Sequence, residues 1–420
     1  MRYTSHKIMK LSEELAWRGL SNQTTFESPK ELDNTKMTFY FGVDPSSDSM
    51  TIGNLATAMM IRQFIRHGHK AVLLVGGATG LIGDPDGKSE EREIKPTEEI
   101  IKNTNAIKNQ YQSIFDDLPF EVVDNMEWQK NVHYIDFLRN VGKHVPMRQM
   151  LGRDFVQTRL SEKGKGITYA EFSYVLIQAY DFLHLFKSKG VTLQLCGSDQ
   201  WGNSIAGVDL IRRLTGKTAH VWSAPLVINK ATGVKFGKSE EGAVWLDEEK
   251  TSPYAFYQFW LNVEDESVGD YFKIYTDILP SEFDELMGEF SKNPNGRLAQ
   301  KTLAYSVTKL VHGKKRAESA KKVTEALFSK RVDVTLDSDD VELLRGEIKV
   351  VNATSDLAEV LVDAQLCTSK GEAHRLVKAG AISINGNKID PSHLSSNQLE
   401  LKPGFNLLKR GKNNFAIIKN

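Results

Sequence analysis

Cysteine is nearly missing: Cys196 and Cys367 are the only two in 420 residues. Neither sits in a CxxC pair or near a histidine cluster, which argues against a disulfide framework or a thiolate zinc site and fits a reducing cytoplasm. Net charge is missing too, because 54 Lys and Arg balance 54 Asp and Glu. No global field draws a polyanion, so any nucleic-acid surface must be local. No apolar run approaches the roughly 18 residues of a membrane span. The opening stretch MRYTSHKIMKLSEEL carries two acids and no apolar core of a secretory signal. A soluble, cytoplasmic chain with no membrane partner is the expectation. Long internal repeats and low-complexity tracts are also absent.

What is present is a chain too long for one compact core, with ordinary globular proportions of 40% hydrophobic and 26% charged residues. Residues 3–20 read as an amphipathic helix. A β-type run at 37–41 ends in the turn Gly42-Val43-Asp44-Pro45-Ser46-Ser47, and a helix follows over 52–67. The all-apolar run 71–75 reads as a strand buried on both faces. It enters Gly76-Gly77-Ala78-Thr79-Gly80-Leu81-Ile82-Gly83-Asp84. Helix dominates 96–115. A second buried strand at 191–196 runs into Gly197-Ser198-Asp199-Gln200-Trp201-Gly202-Asn203 and a helix through residue 213. Strand, turn and helix in this alternation predict parallel βαβ units, whose ligands sit at the carboxyl ends of the strands. Residues 252–330 read as nearly all helix. Residues 332–351 look like a linker. Two short helices and a strand pair about the hairpin signal Asn385-Gly386 close the chain.

Four clusters carry chemistry. The first, Tyr40 to Ser46 continuing to Thr51-Ile52-Gly53-Asn54, is a strand end, a loop and a helix start. Free N–H groups and the positive helix end suit phosphate, although an ordinary βα turn has the same outline. The second is Gly76 to Asp84 with Lys88 and Arg92. Its glycines permit close backbone approach, Asp84 suits an ammonium group, and the two cations suit a leaving phosphate. The spacing is not the GxGxxG dinucleotide fingerprint, and a glycine-rich loop with solvated charges is the plainer alternative. In the third, Tyr174, Gln178 and Asp181 fall at i, i+4 and i+7 on one helix face amid apolar neighbours, the pattern of a pocket lining. The fourth, Lys235-Phe236-Gly237-Lys238-Ser239, places two lysines where they can neutralise a polyphosphate in a transition state. Exposed lysines at this spacing are common, so it is weak alone.

In this order the stretches YFGVDPSSDS, LVGGATGLIGDP, EFSYVLIQAYDF, GSDQWGN and KFGKS resemble class I aminoacyl-tRNA synthetases, specifically the bacterial-type tyrosyl enzymes, over the full length. The resemblance implies an α/β fold: a Rossmann-like parallel-sheet catalytic domain over 1–232 with a connective insertion near 125–165. A mobile KFGKS loop and helical anticodon-binding domain would follow over 233–330, then a linker over 331–351. A small C-terminal α+β RNA-binding domain would occupy 352–420, where nine basic residues face six acidic ones. That excess suits a phosphate-contacting face, and a solvated basic tail would carry it equally well.

Matched position by position, the resemblance implies that Tyr40 and Asp181 hydrogen-bond a substrate phenol. Tyr174, Gln178 and Asp84 would hold its ammonium group. Asp44 and Gln200 would lie near the substrate backbone and adenylate. Gly42, Ser46, Gly53, Gly197 and Asp199 would serve the nucleotide, the last two its ribose. Lys88, Arg92, Lys235 and Lys238 would meet pyrophosphate. The implied partners are L-tyrosine, ATP with Mg²⁺, tRNA bound through the helical and C-terminal domains, and a second copy in a homodimer. No prosthetic group and no resident metal are expected. The family's His-Ile-Gly-His motif reads Thr51-Ile52-Gly53-Asn54 here, as is common in the tryptophanyl sister family. Thr51 and Asn54 can donate hydrogen bonds to phosphate and ribose but cannot carry positive charge. A tryptophanyl enzyme and a non-catalytic RNA-binding paralogue are the competing readings.

Overall fold

The computed structural model describes residues 9–85, 95–161, 164–228, 233, 236, 238–239, 242–328, 335–354, 356–391 and 401–420. The chain forms two compact units, residues 1–246 with 269–284 and residues 247–268 with 285–420.

The first unit opens with α1 (Leu11–Trp17), shorter than the 3–20 expectation, of which residues 3–8 lie outside the described set. There follow β1 (Thr38–Val43), α2 (Ile52–Arg66), β2 (Lys70–Val75), α3 (Thr97–Ile114) and β3 (Phe120–Asp124). Short helices α4 (Met126–Gln129), α5 (Tyr134–Asn140), α6 (Met147–Leu151) and α7 (Asp154–Leu160) lead to α8 (Tyr169–Lys189), β4 (Val191–Gly197), α9 (Trp201–Thr215) and β5 (His220–Ala224). The hairpin strands β6 (Lys238–Ser239) and β7 (Gly242–Ala243) come next. Five strands pair in parallel in the order β3-β2-β1-β4-β5. Apolar β2 and β4 are buried along nearly their whole length, as strands covered on both faces must be. The strand order reverses between β1 and β4, and there a crevice opens at the carboxyl ends.

Helix α8 spans 21 residues because both its ends are closed. At its start Glu171 accepts from the Thr168 N–H and hydroxyl, and buried Arg159 pairs with Glu171 at 2.9 Å. At its end Gly190 takes φ +67°, the left-handed form that glycine adopts freely. Its apolar face packs on α9, where Gly207 lets the Phe182 ring approach; a Cβ there would lie 2.8 Å from that ring. Helix α2 is fixed by buried Arg62, which forks to Asp117 and Asp277 at 2.7 and 2.8 Å. These two helices carry several of the residues that line the cavity in that crevice, so their end fixings help set its geometry.

Helix α10 (Pro253–Leu261), α11 (Val268–Tyr275), α12 (Pro280–Lys292) and α13 (Leu298–Phe328) make up the expected helical stretch. Gly313 breaks the helical dihedrals of α13 at φ +82°. The stretch read as a linker carries α14 (Ser338–Leu343) and β8 (Lys349–Asn352). A cap in which Asp337 and Asp340 bond each other's backbone N–H starts that helix. After α15 (Leu357–Asp363) and α16 (Lys370–Lys378), strands β9 (Ile382–Ile384), β10 (Asn387–Lys388), β11 (Phe405–Arg410) and β12 (Asn414–Lys419) form a sheet in the order β10-β9-β11-β12-β8. Its β9–β10 turn places Asn385 and Gly386 at φ +49° and +81°, the signs that a two-residue hairpin requires.

Candidate active site

A cavity of about 390 Å³ opens at the strand-order reversal. Tyr40 from β1 and Asp181 from α8 lie in its wall, both buried. Among the described residues the Tyr40 hydroxyl has no hydrogen-bond partner. Burial, and then the neighbouring Asp181 charge, push its pKa well above the usual value, so it is a neutral donor and acceptor. Asp181 is held from three sides. Trp128 Nε1 donates to Oδ1 at 2.7 Å, Gln129 Nε2 to Oδ1 at 2.6 Å, and Asn125 Nδ2 to Oδ2 at 2.9 Å. Burial pushes its pKa up to about 7, against the pull of those three bonds.

Asn125 extends this cluster along the cavity. Its other amide hydrogen goes to Thr79 Oγ1 at 3.0 Å, and its Oδ1 accepts the Ala78 N–H at 2.8 Å. The Thr79 hydroxyl donates to Asp44 Oδ1 at 2.6 Å, and the Tyr174 hydroxyl donates to Asp44 Oδ2 at 2.7 Å. Desolvation, then Asp44, raise the Tyr174 pKa well above its usual value. One network, buried except at half-buried Asp44, therefore runs from Asp181 to Tyr174. Gly76 makes room for it: a Cβ there would overlap Asp44 Oδ1 and Thr79 Oγ1. The glycine thus admits a side-chain network, where sequence alone suggested only the approach of a ligand. Beyond, Gln200 donates to Asp84, Asn203 donates to Gln200 Oε1 at 3.2 Å, and Arg153 donates to Asn203 Oδ1 at 2.6 Å.

At the other end of the cavity lies the start of α2. Asn54 Oδ1 accepts both the Thr51 N–H, at 2.9 Å, and the Thr51 hydroxyl, at 3.0 Å. With the oxygen so engaged, the Asn54 amide hydrogens are the groups left to meet a ligand. The Thr51 hydroxyl proton is already given to Asn54, which makes Thr51 a support rather than a second donor. Phe236 closes this side, buried and stacked on Tyr271 with centroids 4.1 Å apart.

The structure brings Tyr40, Gly42, Asp44, Ser46, Thr51, Gly53, Asn54, Asp84, Tyr174, Gln178, Asp181, Gly197, Asp199 and Gln200 together around this one cavity. Lys88, Arg92 and Lys235 lie outside the described residues, and only the backbone of Lys238, in β6, falls within them. Sequence reading missed Thr79, Asn125, Trp128 and Gln129 as site residues. The last three follow the carboxyl end of β3, a strand that the sequence did not announce. A polar Asn beside Trp and Gln at such a strand end was the available signal.

A family model described as tRNA synthetases class I (W and Y) matches residues 32–329. The tyrosine–tRNA ligase of Rhodopirellula baltica is 40% identical, covering 99% of this chain and 98% of that protein. That of Geobacillus stearothermophilus is 41% identical, covering 98% and 100%. This chain belongs to the tyrosyl-tRNA synthetase family. The membership extends to the second unit, where a tyrosine–tRNA ligase SYY-like C-terminal domain model matches residues 341–418. Among solved structures, a C-terminally truncated mitochondrial tyrosyl-tRNA synthetase of Aspergillus nidulans superposes with a TM-score of 0.69 at 28% identity, covering 77% of this chain and 95% of that one. Full-length identity to tyrosyl enzymes does not favour the tryptophanyl reading that Thr51 and Asn54 had suggested, nor the non-catalytic one.

Proposed function

We propose that the chain is a tyrosine–tRNA ligase that joins tyrosine to ATP as tyrosyl-adenylate, releases pyrophosphate, and passes tyrosine to the 3′-terminal adenosine of tRNA. The observation that carries the choice of amino acid is the buried Tyr40 hydroxyl, without a partner among the described residues and close to a carboxylate already oriented by three donors. A phenol supplies the missing partner for both. Phenylalanine would leave them buried and unpaired, which is the strongest form of rejection that a polar pocket offers.

Tyr174, Gln178 and Asp84 would take the ammonium group, and Gln178 Oε1, buried and without a partner among the described residues, could accept from it. Asp44 and Gln200 would flank the substrate backbone. Gly42, Ser46, Gly53, Gly197 and Asp199 would cradle the nucleotide, with the Asn54 amide as neutral donor. The tyrosine carboxylate is itself a nucleophile, so the protein need only hold it in line with the α-phosphate and stabilise developing charge. Lys88, Arg92, Lys235 and Lys238 would do the latter, each donor contributing about 3–4 kcal/mol in the transition state. Mg²⁺ would arrive with ATP, its ligands mainly phosphates and water. Among the described residues no group of three acidic, His or Cys side chains forms a cage for it.

tRNA would be held by the helical and C-terminal parts of the second unit. A homodimer is supported by apolar side chains left exposed across the insertion. Tyr134, Ile135, Met147, Leu160 and Tyr169 are 60, 71, 57, 52 and 63% accessible, and such a concentration marks an interaction surface. No helix among the described residues is long and apolar enough to cross a membrane, and a cytoplasmic location is part of the proposal. Pyrophosphate exchange measured separately with tyrosine, tryptophan and phenylalanine tests the reading. Exchange with tyrosine is expected; exchange with tryptophan alone, or with none of the three, defeats it.

A further inference from the structure

Asp181 offers about four acceptor positions, two on each oxygen. Trp128 and Gln129 fill both positions of Oδ1, and Asn125 fills one of Oδ2. Among the described residues one opening is left, on Oδ2. The three donors are not equivalent. Trp128 is locked by stacking on His184, with centroids 4.5 Å apart and planes at 12°. Asn125 commits both amide hydrogens and its oxygen within the network. Gln129 is half-buried, the last residue of a four-residue helix, and among the described residues the other bond of its side-chain amide is a long one to the Ile177 carbonyl at 3.3 Å. Its amide is therefore given to Asp181 by choice of residue rather than by packing: an apolar side chain of the same length would leave a position on Oδ1 open.

We infer that Gln129 is a positioning and specificity residue, which closes Oδ1 so that Oδ2 alone receives the substrate phenol and which holds Asp181 in its ionised form. The inference rests on the phenol-binding reading above. Other groups around Asp181 do not supply that ionisation. Asp44, from the loop after β1, opposes it. Tyr40 from β1, Tyr174 and Tyr180 from α8 and Cys196 from β4 all have pKa values raised by burial and stay neutral. His184, its pKa lowered by burial, stays neutral too. Among the described residues the groups that favour the carboxylate are hydrogen-bond donors, and Gln129 is one of three.

The test is tyrosine-dependent pyrophosphate exchange by the full chain, wild type against Gln129→Met, across pH 5 to 9. An ionised Asp181 is needed to accept the phenol proton, so activity in kcat/KM falls on the acid side. Loss of one donor to a charged group should move that acid limb upward by about one pH unit and raise KM for tyrosine about tenfold near neutral pH, with KM for ATP unchanged. Gln129→Glu, which keeps the length and replaces the donor by a second acid, should move the limb further and serves if the Met variant does not fold. Folded variants with a wild-type limb, or with equal losses in tyrosine and ATP, overturn the role of Gln129. A wild type without tyrosine-dependent exchange overturns the phenol reading instead, so the two failures are distinct.

Discussion

Every polar atom of the Asn125 side chain is used, between Asp181, Thr79 and the Ala78 N–H. Asn125→Ala should remove one hydrogen bond each from Asp181, Thr79 and the Ala78 N–H, of which only the N–H is left with no partner, and cost about 1–3 kcal/mol of stability in all. Urea unfolding measures this, and loss of tyrosine exchange should accompany it. Asp181 makes a prediction about pH. Burial moves its pKa from 3.8 to about 7. Between those values the unfolded chain has released a proton that the native chain keeps. The native state binds more protons there, so this group's contribution to stability is full below about pH 4 and falls as pH rises through 7. Asp181→Leu should be less stable than wild type because three donors lose their acceptor. The gap in unfolding free energy between the two should narrow from pH 5 to pH 8, and a gap independent of pH would count against the buried-acid account. Asp44, Tyr174 and Asp181 were legible in the sequence because they stand in motifs or on one helix face. Asn125 and Gln129 were not, because their role depends on a crossing of β3 with α8 that no local pattern records.

At the scale of elements, parallel β1, β2 and β4 were readable from apolar runs that end in glycine and aspartate. Strands β3 and β5 escaped. The first has a single fully buried residue, Val123, in five positions, and the second has five residues after a polar stretch. Strand β8 was hidden in an acidic segment, since its four residues gain their place only by pairing in parallel with β12. The loop after β2 depends on Gly76 for a steric reason, so Gly76→Ala should force Asp44 and Thr79 apart. Overpacking of this kind costs about 1–3 kcal/mol, visible in the denaturation midpoint. Tyrosine affinity, read by equilibrium dialysis, should fall with it. Unchanged stability and affinity would show that the network tolerates the methyl.

For the whole molecule, the exposed apolar side chains of α5 to α8 make the oligomeric state testable. Tyr169→Asp places a charge on that face and should shift sedimentation from dimer to monomer; a wild type that sediments as a monomer sinks the dimer reading outright. The C-terminal sheet includes β8, so a truncation that respects the structure removes residues 335–420 rather than cutting at 352. It should spare tyrosine activation and weaken transfer to tRNA, and loss of activation in a folded truncation would contradict this division of labour. The hydrogen bonds that run from Gln129 through Asn125 and Asp44 to Tyr174 have a last consequence. They join the far jaw of the cavity to the near one as a single rigid calliper, so the gap between them is a built-in constant. An amino acid is then measured by span as well as by its groups, and meta-tyrosine, whose oxygen sits one ring carbon away, can touch either jaw but not both together.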